Sequence, residues 1–122
     1  MVEREHTFCE IVTFDYPMWR KSYAAGTFRA IVEEYEGSEK AGRGKIVKIL
    51  SVERPKLYDD YTDLHGGVDS LSKSTTAEDI KKLFEGKEGT YEHDEGYLPP
   101  RHMFKLKDQF PIEIKPSGMP FG

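Results

Sequence analysis

The chain has 122 residues and a mass of 14.0 kDa, the size of one domain. Hydrophobic residues make up 37% and charged residues 33%, but seven Tyr, seven Phe and one Trp supply bulk for a core, which excludes wholesale disorder. A net charge of -4 and a pI near 5.6 oppose a dedicated duplex-DNA binder, and no apolar run approaches the ~20 residues of a membrane span.

The N-terminus MVEREHTF has no apolar stretch of the kind that opens a secretory signal, so a secreted reading falls too. The single cysteine, Cys9, has no internal partner, which fits a reducing cytosol. Asn is absent and Gln occurs once, at Gln109, beside 14 Glu and 12 Lys. That bias is found in proteins from hot environments, and chance in a short chain produces it as well.

In chain order, Thr7–Phe14 is β-branched and aromatic and predicts a first strand. Pro17 suits the first position of a short helix over Pro17–Ala25, with Gly26 as its stop. Residues 27–36 and 45–54 alternate apolar and charged residues and predict a long hairpin that Pro55 ends. The competing reading makes 17–36 one helix.

Lys56–Ser74 is polar, contains Gly66-Gly67, and predicts a long loop. The clearest helix is Thr76–Glu85, with Thr75 and Glu78 as a capping box, Ile80, Leu83 and Phe84 inward, and Gly86 at its end. An acidic loop over Lys87–Arg101 follows. His102–Lys107 and Phe110–Lys115 then predict a terminal hairpin. The tail Pro116–Gly122 cannot be regular, and is expected to dock on its own body or on a neighbouring chain. The fold class expected from these pieces is α+β. Its form is a mostly antiparallel sheet or open β-barrel of about five strands with two short helices, all in one domain, 1–122.

Four constellations carry possible chemistry. Tyr16, Trp19 and Tyr23, with Arg20 and Lys21, could stack bases and hold phosphates, and are also what a core-facing short helix looks like. Asp59, Asp60, Asp63 and His65 fall within seven residues and would suit a divalent cation, the carboxylates holding a hard ion. In that scheme His65 or His93 would relay a proton to bound water. Glu92, Asp94 and Glu95 surround His93 in sequence and would raise its pKa. The basic stretch Lys40, Arg43, Lys45 and Lys48, read as a flexible glycine-rich hairpin tip, could contact phosphates, with Trp19 stacking a base. It is no phosphate-binding loop, because Gly44-Lys45 is followed by Ile46 rather than Ser or Thr. Cys9 has no catalytic base within reach on its strand and reads as a packing residue.

The order strand, short helix, glycine, long hairpin, later helix and final hairpin resembles that of the small pseudo-barrels of the PUA and ASCH type. That resemblance implies binding of RNA or a modified base. The Gly-x-Lys-x-x-Glu of ASCH domains is absent, since Gly26 is followed by Thr-Phe-Arg-Ala. With no complete catalytic motif, the leading expectation is a cytoplasmic, non-catalytic binding or assembly module. It would act through its surface loops and tail, with itself or another protein as partner and no cofactor. A metal-dependent hydrolase or nucleotide-processing enzyme built on the Asp59 cluster is the alternative, and RNA binding, which the net charge disfavours, comes third.

Overall fold

The computed structural model describes residues 1–15, 20–62 and 65–114. Six strands and one helix follow one another: β1 (Val2–Asp15), β2 (Arg20–Gly37), β3 (Ala41–Thr62), β4 (Val68–Ser74), α1 (Ala77–Phe84), β5 (Glu88–Asp94) and β6 (Arg101–Leu106). The sheet order is β2-β1-β6-β5-β3-β4, and a further pairing of β2 with β3 joins five of the strands in a ring. β1 and β6 run parallel, with Ile11 opposite Phe104, while the other pairs are antiparallel.

The predicted hairpin is present and longer than expected. β2 lies along β3 from Arg20 opposite Tyr61 to Gly37 opposite Gly42. Period-2 burial drives it: Ser22, Ala24, Phe28, Ala30, Val32 and Glu34 are buried while their neighbours are more exposed. The same alternation explains why residues 20–25 are strand rather than the tail of a helix. Gly26 is no helix stop. It sits inside the strand at φ 153°, where a Cβ would lie 2.7 Å from the Glu53 carbonyl oxygen.

Pro55 does not end the second arm. Arg54 takes a positive φ of 52°, the register slips beside it, and β3 continues to Thr62. The expected loop 56–74 is therefore mostly a β3–β4 hairpin, with Thr62 opposite Val68. The acidic segment 87–101 likewise contains β5. The expected terminal hairpin is also replaced: β6 pairs with β5, and Phe110, Ile112 and Ile114 pack on the core from an irregular segment.

α1 is the one helix among the described residues, so the expectation of two is corrected. Its cap is Thr76 rather than Thr75, the Thr76 hydroxyl accepting from the Asp79 N–H at 3.2 Å. Ile80 and Phe84 bury its inner face against Ile46, Ile49 and Leu57 of β3. The Glu85 carboxylate then accepts from the Ile49 N–H at 2.7 Å, tying the helix end to β3. No helix among the described residues is long and apolar enough to cross a membrane.

Candidate functional site

Along the inner face of β2 the chemistry changes from end to end. Apolar residues fill the middle, while Ser22 near the start and Glu34 near the end are buried polar groups. Each needs a partner, because an uncompensated buried charge is costly. Near Ser22, Asp59 is 3% exposed and accepts two hydrogen bonds from Arg20, at 3.0 and 2.9 Å, and one from the Ser22 hydroxyl at 3.0 Å. The fork of the guanidinium matches both carboxylate oxygens.

Glu34, at the other end, is approached by His6 Nε2 at 2.7 Å and by Arg4 Nε at 3.2 Å. Burial alone would raise the Glu34 carboxyl, but the hydrogen bond from His6, the nearby Tyr91 hydroxyl and the charge of Arg4 hold it below the usual range. His6 Nδ1 then meets His102 Nε2 at 2.8 Å. Burial and the neighbouring His6 and His93 rings lower His102 to about 4, with only weak help from the Glu92 backbone. His102 is thus neutral at pH 7. Its Nδ1 is buried and makes no hydrogen bond of ordinary geometry among the described residues.

The outer face carries a different arrangement. The β1 register shifts between Phe8 and Glu10, so Phe8 and Ile11 both enter the core and Glu10 turns to the other side. There Glu10 is only 2% exposed, with Arg101 NH2 at 2.7 Å and Lys21 Nζ at 2.5 Å on its two oxygens. Arg101 lies over the Tyr97 ring at 4.7 Å and Lys21 over Tyr23 at 4.4 Å. Tyr23 stacks on Tyr58 and donates its hydroxyl to Asp60 at 3.0 Å. Burial and then Asp60 push that phenol well above its ordinary value.

Of these groups Glu10, Tyr23, Tyr97 and Arg101, with Cys9, Ala25 and the Leu98–Pro100 segment, line a half-open cleft of about 350 Å³. One wall is the 97–100 segment, in which Leu98 is 97% exposed. The floor is a neutralised carboxylate and the walls are aromatic and aliphatic. A compact, mostly apolar guest fits such a surface.

The residues singled out from sequence distribute differently. Asp59 and Asp60 are consecutive on β3 and point to opposite faces, one to Arg20 and the other to Tyr23 and Ser70. His65 lies in the turn before β4, and Asp63 falls outside the described residues. No group of three or more His, Cys, Asp or Glu among the described residues is placed to hold a metal ion. The acids flanking His93 do not surround it: Glu92 turns to Lys105 at 3.0 Å, and Glu95 is 3.9 Å away.

Of the basic stretch only Lys40 lies in the β2–β3 turn. Gly42, Arg43, Gly44 and Lys45 belong to β3, flanked by β2 and β5. Lys40 pairs with Glu95 at 3.3 Å, Arg43 lies 3.7 Å from Glu36, Lys45 stands opposite Glu33, and Lys48 is exposed opposite Ile31. Acidic neighbours thus offset three of the four cations. Tyr16, Trp19 and the tail 116–122 fall outside the described residues.

No protein-family model, curated protein or solved structure matches the chain. The functional reading therefore rests on the geometry above. Glu10 and Arg101 were not among the residues singled out from sequence, whereas Lys21 and Tyr23 were, as members of an aromatic and basic group expected on a short helix that is strand β2 instead. What brings them together is the β1 bulge and the pairing of β1 with β6, both non-local events.

Proposed function

We propose that the chain is a small non-catalytic binding module whose ligand is a compact apolar or aromatic acid held in the cleft between β1, β2 and the 97–101 segment. The observation that carries the reading is the Glu10 floor with Lys21 and Arg101 upon it. Lys21 stands opposite Asp60 on β3 as well as on Glu10, so the cation that faces the cleft beside its apolar wall is the Arg101 guanidinium. Asp60, across the Tyr23 ring, is engaged by the Tyr23 and Ser70 hydroxyls. A ligand carboxylate can use the remaining donors of Arg101 while its body packs on Ala25, Leu98 and Pro100. The non-catalytic part is supported by the burial of His6 and Glu34, whose acid–base pair faces the interior rather than the cleft.

The test is an NMR titration with benzoate, 2-naphthoate and the neutral amide benzamide. Benzoate should shift the backbone signals of Tyr23, Ala25, Leu98 and Arg101 with a Kd on the order of 1 mM, since so small a ligand has few atoms to contribute. The naphthoate should bind more tightly and benzamide more weakly. Leu98→Asp, at an exposed position, should abolish the response while the rest of the spectrum is retained. Equal binding of acid and amide, or shifts scattered away from the cleft, would overturn the reading.

A further inference from the structure

β4 is the only strand with a single neighbour among the described residues: one edge pairs with β3 and the other carries no ladder. Sheet edges are usually protected by proline, bulges or isolated charges. Val68–Ser74 has no proline, and its register with β3 is unbroken over all seven residues. Val68 is 77% exposed, and Asp69, Ser70, Lys73 and Ser74 are exposed as well.

The sequence of this edge is complementary to itself when reversed. Successive residues of a strand send their N–H and C=O groups to opposite sides, so a two-fold antiparallel pair must be centred on a residue. Centred on Leu71, the strand VDSLSKS places Asp69 opposite Lys73, Ser70 opposite Ser72 and Val68 opposite Ser74. Both Asp–Lys pairs then form, one on each side of the axis, and all seven residues overlap. Centring on Ser70 or Ser72 instead sets Asp69 against Leu71 or Thr75 and loses both charge pairs. Asp69, Leu71 and Lys73 stand opposite Tyr61, Asp59 and Leu57 of β3, so all three share one face of the sheet.

We infer that β4 is a homodimerisation edge on which a second copy of this chain adds its own β4, antiparallel and centred on Leu71. Backbone hydrogen bonds supply the attraction, and the two Asp69–Lys73 pairs select the register. The surface is distinct from the cleft and independent of its ligand. A single strand pair buries less than the ~1,000 Å² of a stable interface, so the dimer is weak, with a dissociation constant on the order of 100 μM.

Sedimentation equilibrium on the full chain tests this, with the wild type expected to pass from monomer to dimer as concentration rises. Asp69→Lys and Lys73→Asp each set like charges opposite one another at both ends of the pair, and should weaken association at least about tenfold. The double variant D69K/K73D re-forms opposite-charge pairs and should regain wild-type association. Both positions of exchange are exposed, so circular dichroism and melting temperature should stay unchanged. A wild type that remains monomeric up to about 1 mM overturns the inference. Association that both single variants leave intact also overturns it, because the contact would then lie elsewhere.

Discussion

His6 Nδ1 lies 2.8 Å from His102 Nε2, and the same His6 ring reaches the Glu34 carboxylate at 2.7 Å with its other nitrogen. The three side chains form a line from a buried anion to a neutral, half-buried imidazole. Arg4 stands at the Glu34 end and His93 at the His102 end. Acid should break it. An unfolded chain protonates His102 near pH 6.5, whereas the folded protein resists until about pH 4. The unfolded state therefore binds more protons across that window, and stability falls as the pH is lowered through it. At about 1.4 kcal/mol per pH unit, discounted for partial exposure of the ring, the loss is about 2 kcal/mol. Glu34, also held below its usual range, adds to the loss at the acid end. Urea unfolding at pH 7, 6, 5 and 4 measures the slope, and His102→Phe should flatten it.

Asp59 and Asp60 should separate under mutation although they are adjacent. Asp59→Ala removes a buried carboxylate that satisfies Arg20 and Ser22, and should cost about 2–3 kcal/mol. Asp60→Ala breaks only partly exposed hydrogen bonds to Tyr23 and Ser70, and should cost about 1 kcal/mol or less. Chemical denaturation of the two variants gives both values. Equal effects would contradict their placement on opposite faces.

Gly89 and Gly66 offer a second contrast. A Cβ at Gly89 would fall 2.1 Å from the Lys105 carbonyl oxygen and 2.7 Å from the Phe104 ring. Gly89→Ala should force β5 and β6 apart and cost more than about 3 kcal/mol. Gly66 has nothing within 4 Å but a φ of +83°, so Gly66→Ala should lose only the backbone-strain contribution, about 1 kcal/mol. Melting temperatures of the two variants should rank accordingly.

The helix start can be checked in the same way. Thr76→Ala should cost about 1 kcal/mol because it removes the acceptor for the Asp79 N–H, while Thr75→Ala should be near neutral. Thermal unfolding of both variants distinguishes the two threonines.

The parts of this fold that are local in sequence are the parts that can be read from it. The β2–β3 hairpin and α1 follow from patterns repeating every two or 3.6 residues. The capping position slipped by one because Thr75 and Thr76 are both good caps. Residues 20–25 misled because Pro17 and Gly26 mimic helix punctuation, while the alternation Lys21, Ser22, Tyr23, Ala24 carries the strand signal. Glu34 was legible in principle: it continues the inward series Phe28, Ala30, Val32, so a strand reading of 27–36 already places a carboxylate in the core. The cleft was not legible. Glu10 meets Arg101 only because a bulge turns it outward and β6 comes to lie beside β1.

The β1–β6 pairing also dictates when this protein can finish folding. During synthesis β1, β2 and most of the core leave the ribosome long before Arg101–Leu106 exists, and until then the side of β1 at Glu10–Val12 has no partner. The nascent chain must wait with that seam open and with Phe8 and Ile11 short of their neighbour Phe104. The seam closes only with β6, by a contact between distant segments of the sort that makes sheet proteins slow to fold, in milliseconds to seconds. Crowded ribosomes, where the open seams of neighbouring nascent chains can meet, are thus the setting in which this chain is most exposed to misassembly.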